Sequence, residues 1–279
     1  MRAVVTGATG FIGSRLSTRL HGDGHEVAFI PRGTSYEQMV ELFCSFAPDV
    51  VYHLATFFVA EHRPDQIPAL IDSNVLFGNL VLEAMTNLAS PRLINVGTSW
   101  QNFSGSEFDP TCLYASTKQA FIDIAQYYVE ARNLHMCTIK LFDTYGPRDP
   151  RPKLIPKLLQ LLRSGDPINL SPGEQKIDLV YIDDVISGLI SAGKFITGPN
   201  GPKLAEFVLS HERVTIKELV DTLEHLAGKK LDARFGAKPY RHREIMDPWQ
   251  TGRILPGWQP ETPLIDGLTR CWKEANESF

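Results

Sequence analysis

The sequence predicts an α/β fold, a doubly wound parallel sheet followed by a smaller C-terminal region, on three observations. Short β-branched apolar runs alternate with longer stretches of helical period through the first two thirds of the chain. A glycine-rich turn joins the first apolar run to the first helical stretch. Pro147, Pro150, Pro152 and Pro156 then break the alternation. In chain order, residues 3–6, 26–30, 50–54, 93–97 and 137–142 read as strands, each followed by enough chain for a right-handed crossover, and 204–209 reads as a sixth. Helices are expected at 12–21, 36–46, 69–87, 113–132, 154–163 and 183–195. Thr215-Ile-Lys-Glu218 is a capping box opening a further amphipathic helix, and a last helix ends the chain. The expected division is a larger domain of residues 1–149 plus about 178–212, and a smaller one of 150–177 and 213–279.

Composition narrows the function. The 279 residues include 28 Lys+Arg and 32 Asp+Glu, a net charge of −4, with 43% hydrophobic and 22% charged residues. That is ordinary globular composition with enough chain to bury a large core. The charges lie spread without basic blocks, which argues against nucleic acid and against a membrane surface as partners. No apolar run is expected to span a bilayer, and no leader-like segment precedes the first strand. Cys44, Cys112, Cys137 and Cys271 show no metal-ligand spacing, so no metal is expected and unpaired thiols in a reducing cytoplasm are the reading.

Thr6-Gly7-Ala8-Thr9-Gly10-Phe11-Ile12-Gly13 follows the first strand and opens the first helix. Gly7 permits a tight turn, Gly10 lets backbone N–H groups of the Thr9–Ile12 stretch approach a pyrophosphate, and Gly13 lets helix pack on strand. The helix N-terminus then favours the anion. The reading is a Rossmann-type dinucleotide site, with Leu54 and Ala55 at the end of the third strand beside it. Such sites usually present a carboxylate at the end of the second strand for the adenosine ribose. Here that strand runs into Pro31-Arg32-Gly33, so a guanidinium stands where a 2′-phosphate would be paired. That favours NADP(H), with NAD(H) possible; the plain alternative is a solvated surface arginine.

Tyr114 and Lys118 lie four residues apart in an expected helix and share a face. A phenol of pKa ~10 is a poor acid at neutral pH, and an adjacent ammonium stabilises its phenolate. Alone, the spacing equally fits a packed aromatic and a solvated lysine. Thr98 lies just past the fourth strand, where carboxyl ends of parallel strands form a crevice, and its hydroxyl suits a substrate carbonyl. Ser99 is the alternative donor, and a turn held by a side-chain bond is the structural one.

With those residues in place the chain resembles the extended short-chain dehydrogenase/reductases, the nucleotide-sugar epimerase, dehydratase and reductase group. The marks are residues 6–13, Pro48-Asp-Val-Val-Tyr-His-Leu-Ala55, Asn74, Tyr114 with Lys118, Tyr145-Gly-Pro147 and Val180-Tyr-Ile-Asp-Asp184. The resemblance implies that Tyr114 is the acid/base, that Lys118 binds the nicotinamide ribose and lowers the tyrosine pKa, and that Thr98 completes the triad. It leaves His53 and Asp184 structural, and it implies a homodimer built on helices 69–87 and 113–132.

Dehydratases of the group carry Asp-Glu after the Thr, where this chain has Ser99-Trp100. The stretches 95–101, 113–120 and 140–147 look most like the CDP-abequose and CDP-paratose synthase branch, which reduces a C4 ketone. The resemblance therefore implies NADPH-dependent reduction of the C4 ketone of a nucleotide-linked deoxy sugar. An epimerase that keeps NAD, a reductase of other ketones and a non-catalytic NADP-binding sensor or scaffold are the other readings. For substrate, Ser99, Asp143, Lys153, Lys176, Arg241 and Arg243 are the candidates, with Arg243 or Arg241 preferred for a bidentate diphosphate contact and solvated surface arginines the other reading. Ile177 stands where the group commonly has an arginine, and Asp143 where it often has asparagine. Asp143 either bonds substrate or caps the turn, and Leu154-Ile-Pro156 either lines the base pocket or starts a core helix.

Overall fold

In the computed structural model, which describes residues 1–105 and 108–277, the elements run in this order. β1 (Arg2–Thr6), α1 (Phe11–Gly22), β2 (Glu26–Ile30), α2 (Tyr36–Phe46) and β3 (Val50–His53) come first. They are followed by α3 (Ile67–Ile71), α4 (Phe77–Met85), β4 (Arg92–Thr98), α5 (Leu113–Ala131) and β5 (His135–Leu141). β6 (Asp143–Tyr145), α6 (Leu154–Ser164), β7 (Ile168–Asn169), β8 (Lys176–Tyr181), α7 (Ile182–Thr197) and β9 (Leu204–Leu209) come next. β10 (Glu212–Thr215), α8 (Ile216–Ala227), β11 (Ala233–Arg234) and α9 (Leu264–Glu277) complete the chain.

Two compact units result. The larger comprises Met1–Leu141, Ile186–Leu209 and Thr251–Trp258; the smaller comprises Phe142–Val185, Ser210–Gln250 and Gln259–Phe279. The first break comes at Leu141, before the proline cluster that suggested 149. The chain returns at Ile186 where 178 was expected, and Thr251–Trp258 rejoins the larger unit, which no composition shift announced.

The larger unit is a six-stranded parallel sheet in the order β2-β1-β3-β4-β5-β9. The order reverses at β1, which puts a topological switch point at the carboxyl ends of β1 and β3. Register turns the β-branched runs into layers. Val4, Val51, Leu93 and Met136 stand side by side on one face and form one core with Met39 and Phe43 of α2, Val81, Leu82 and Met85 of α4, and Phe121 and Ala125 of α5. Val5, Tyr52, Ile94 and Cys137 line the opposite face, where Tyr52 meets Gly193 of α7.

One expectation changes. Pro64–Met85 is a continuous helical run of 22 residues, long and apolar enough to cross a membrane. Its apolarity has a packing cause, since Leu70, Val81, Leu82, Ala84 and Met85 are buried in the unit. The run begins before 69 because Pro64 and Pro68 occupy first-turn positions, and Asp72–Leu76 is a turn of π-helix that turns Ser73 and Asn74 inward.

The smaller unit holds a three-stranded sheet, β10-β8-β6, and a two-stranded one, β11-β7. Sequence reading expected none of these strands: β6 follows β5 after only Phe142, and β7 and β11 are two residues each. The capping box is formed, with Glu218 N–H donating to Thr215 Oγ1 at 3.1 Å and Thr215 N–H donating to Glu218 Oε2 at 2.7 Å.

Candidate active site

The glycine turn is shaped by close approach. Gly7 has φ +69°, and a Cβ there would lie 2.7 Å from Ala55 N; a Cβ on Gly13 would lie 2.1 Å from Gly7 O. The Thr6 hydroxyl accepts from the N–H groups of Leu54 (3.2 Å) and Ala55 (3.1 Å), which pins the end of β3 beside the turn. With both lone pairs so used, its hydrogen goes to His53 Nδ1 at 3.0 Å. Burial, and then the nearby Lys118 charge, push His53 down to about 3, so it is neutral and structural. The N-cap of α1 is Gly10, which offers no side chain to cap the first-turn N–H groups. A glycine-lined turn at a helix N-terminus that no side chain caps has the form that fits a dinucleotide pyrophosphate. Arg32 is exposed just past β2, and among the described residues no carboxylate pairs with it.

Thr98 ends β4 as a buried cap of the short turn Ser99–Gln101. Its Oγ1 accepts from Trp100 N–H at 3.3 Å, leaving the hydroxyl hydrogen to be donated. Ser99, also buried, is the first residue of that turn. Tyr114 and Lys118 lie on α5 at i and i+4, both buried. Lys118 forms no ion pair among the described residues, and burial pulls it down to about 8.

Several residues shape this site that sequence reading did not assign to it. Phe58 stands edge-on to the Tyr114 ring (centroids 4.9 Å, 85°) and packs on Trp100 (5.7 Å), giving the phenol an aromatic flank that is 38% exposed at Phe58. Asn74, inward on the π-turn, accepts from Phe57 N–H (2.7 Å) and Thr56 Oγ1 (3.0 Å), and donates to Phe57 O (3.0 Å) and Thr117 Oγ1 (2.9 Å). Gln101 was legible, because Thr98-Ser-Trp-Gln101 follows the capping-box pattern.

In the smaller unit, Asp143 and Lys153 are brought together, Nζ donating to Oδ1 at 3.3 Å. Arg241 is forked onto Glu244 (3.0 and 2.8 Å) and Lys176 lies 3.7 Å from Asp247. The fork of Arg241 is thus engaged by its own neighbour three residues on. Arg243 is partly buried. Arg213, unassigned from sequence, donates to Asp178 Oδ2 (2.9 Å), Trp249 O (2.9 Å) and Pro248 O (3.3 Å), a structural tie. Asp184 accepts from the N–H groups of Glu261 (3.0 Å) and Thr262 (3.1 Å), the structural role expected of it.

A buried hydroxyl, a phenol and a lysine at the carboxyl end of a parallel sheet, next to a dinucleotide cradle, can bind a nicotinamide and pass a proton to an oxygen. The chain is similar to a CDP-abequose synthase of Yersinia pseudotuberculosis, 28% identical over 266 residues that cover 89% of this chain and 92% of that one. It is also similar to a UDP-glucose 4-epimerase of Mycolicibacterium smegmatis, 26% identical with 97% of each covered. Among solved structures, UDP-glucuronic acid 4-epimerase from Bacillus cereus in complex with UDP-glucuronic acid and NAD shares the fold at TM-score 0.86 and 21% identity, over 100% of both chains. The Thermotoga maritima UDP-glucose 4-epimerase with UDP-glucose does so at TM-score 0.85 and 20% identity, over 100% of this chain and 99% of that one. Residues 3–201 match the NAD dependent epimerase/dehydratase family, and the chain belongs to it.

Proposed function

We propose that the protein reduces the C4 ketone of a nucleotide-linked deoxy sugar, of the CDP- or dTDP-4-keto-6-deoxyhexose type, using NADPH in deoxysugar biosynthesis. NADPH, when bound, supplies the hydride. The chain's own residues do the rest. Tyr114 Oη donates a proton to the C4 oxygen as it becomes an alkoxide, and the Thr98 hydroxyl donates a hydrogen bond to the same oxygen. Lys118, protonated below about pH 8, stabilises the phenolate left behind and bonds the nicotinamide ribose. Ser99 and Asp143 orient the sugar, while Lys153, Lys176, Arg243 and Arg241 are the cations offered to the diphosphate. Phe58 and Trp100 supply an apolar flank beside Tyr114 that suits a carbon without a hydroxyl.

The observation that carries the reductase reading is Arg32. An exposed guanidinium in place of the usual acid suits the 2′-phosphate of a cofactor drawn from a reducing pool. The second reading is an epimerase that retains NAD, favoured by the similarity to UDP-glucose 4-epimerase. The discriminating experiment offers NADPH or NADH with 4-keto-6-deoxy sugars on CDP, dTDP, GDP and UDP, following loss of reduced-cofactor absorbance. Stoichiometric oxidation of NADPH supports the reductase. Interconversion of C4 epimers of a 4-hydroxy nucleotide sugar supplied with NAD in a parallel assay, or tight NADPH binding with no turnover of any 4-keto sugar, overturns it in favour of the epimerase or a sensor.

We further propose a homodimer and a cytoplasmic setting. Ile71 (44% exposed) and Leu76 (51%) of the 64–85 run and Ile124 (37%) and Tyr127 (54%) of α5 are large apolar groups left in solvent. Among the described residues the cysteines form no disulfide, which suits a reducing compartment.

A further inference from the structure

A line of side-chain amides, buried at Gln101 and opening to solvent at Asp123, ties the strand end bearing Thr98 to the helix bearing Tyr114 and Lys118. Gln101 is fully buried. Its Oε1 accepts the Thr98 N–H at 3.0 Å and its Nε2 donates to Gln119 Oε1 at 2.7 Å. Gln119 follows Lys118 on α5 and donates onward from Nε2 to Asp123 Oδ1 at 2.8 Å. One end of the line is a backbone N–H, which can only donate, and the other is a carboxylate. Those ends fix both amide orientations, so the line has a single hydrogen-bonding state. The far side of the same turn is held as well. Asn102 Oδ1 accepts from the buried Lys140 Nζ at 2.9 Å, and Lys140 pairs with Glu206 at 2.8 Å. Gly97 makes room for both, since a Cβ there would lie 3.0 Å from Gln101 Oε1 and from Lys140 Cγ.

We infer that Gln101 is a positioning residue: bridging Thr98 on β4 to Gln119 on α5, it holds the Thr98 and Tyr114 hydroxyls in the one spacing at which both reach the same substrate oxygen. The inference rests on the proposed roles of Thr98 and Tyr114. Two donors converging on one oxygen must each lie within hydrogen-bond reach of it, and the donors here sit on different elements. Nothing covalent sets their separation, and the Gln101–Gln119 bond is a direct side-chain link between them. An error of ~1 Å in such a spacing costs up to ~100-fold in rate. Because Gln101 touches Thr98 through its backbone, its effect must pass through Thr98.

The test is a cycle of Gln101→Leu, Thr98→Ala and the double variant, assayed with NADPH and the panel sugar that the wild type reduces fastest. Gln101→Leu is expected to lower kcat at least ~10-fold with NADPH affinity unchanged, yet less than ~2-fold in the Thr98→Ala background. Hydrogen exchange in a peptide covering 93–103 is expected to quicken at the Thr98 amide. If Gln101→Leu does not fold, Gln119→Ala removes the other end of the bridge at a less buried position and should show the same dependence on Thr98. Equal losses in both backgrounds, or unchanged kcat with unchanged exchange, overturn the inference. Turnover of no panel sugar by the wild type overturns the reductase reading, and this inference with it.

Discussion

Gly193 of α7 lies against the phenol of Tyr52 so closely that a Cβ on the glycine would stand 1.9 Å from Tyr52 Oη and 2.9 Å from Cζ. The phenol is fully buried, and among the described residues its oxygen has no hydrogen-bond partner. Burial pushes its ionisation up, so it stays protonated.

This pair yields a stability cycle. Gly193→Ala overpacks the face beneath α7 and is expected to cost about 1–3 kcal/mol in urea unfolding. Tyr52→Phe removes an unpaired buried hydroxyl and should be neutral or stabilising by up to ~1 kcal/mol. In the Tyr52→Phe background the cost of the alanine should fall, since the 1.9 Å clash is gone and the 2.9 Å one remains. Additive effects would show that the two positions do not meet.

Asn74, itself fully buried, makes four hydrogen bonds, to Thr56, Phe57 and Thr117, from a π-turn that aims it inward. Asn74→Ala leaves the Phe57 N–H and carbonyl without that partner and should destabilise by roughly 2–4 kcal/mol. Phe57 precedes the ring that flanks Tyr114, so turnover is expected to fall as well. Thermal unfolding and kcat measured on one preparation check both outcomes.

The parallel sheet was legible because its strands, buried on both faces, read as continuous apolar runs, as Val50-Val-Tyr-His53 does. The places of Thr98 at a strand end and of Tyr114 and Lys118 one turn apart on a helix were legible because helical spacing and strand ends are local properties. Phe58 was not: its place beside Tyr114 depends on the fold of the 54–63 segment, 56 residues away from Tyr114 in the chain. β8 was hidden for a related reason, since Lys176-Ile-Asp-Leu-Val-Tyr181 buries Asp178, an acid that breaks the apolar pattern and is satisfied by Arg213, Ser210 and His211.

Arg32→Asp replaces the guanidinium with the carboxylate that a ribose diol favours. KM for NADPH is expected to rise about 10- to 100-fold, the worth of a charge-assisted hydrogen bond, while KM for NADH falls or holds. Unchanged preference would return Arg32 to the solvated surface.

Tyr114→Phe removes the phenol oxygen and keeps the ring that packs edge-on to Phe58. Turnover is expected to drop at least ~100-fold while nicotinamide nucleotide binding, followed by fluorescence titration, stays within error. Comparable turnover in the variant would refute Tyr114 as the proton donor.

Lys118 links the site to stability through pH. Its ammonium is buried and pulled from 10.5 to about 8, so between those values the unfolded chain holds a proton that the folded chain has lost. Stability therefore rises with pH across 8 to 10.5, and below 8 the full burden of an unpaired buried charge is present. Tyr128 and Cys137 act oppositely: burial raises both to about 12, so the folded chain keeps their protons longer and stability falls as pH climbs past their ordinary values of 10 and 9. A wild-type profile alone mixes the two trends, and comparison with Lys118→Met separates them. At pH 7, without nucleotide, the methionine variant should be more stable by something on the order of 3 kcal/mol while inactive. The gap should be nearly closed by about pH 10.5, where the lysine is neutral in the folded chain and half neutral in the unfolded one. A gap that stays constant with pH would mean that the methionine gains by packing and not by removing a buried charge.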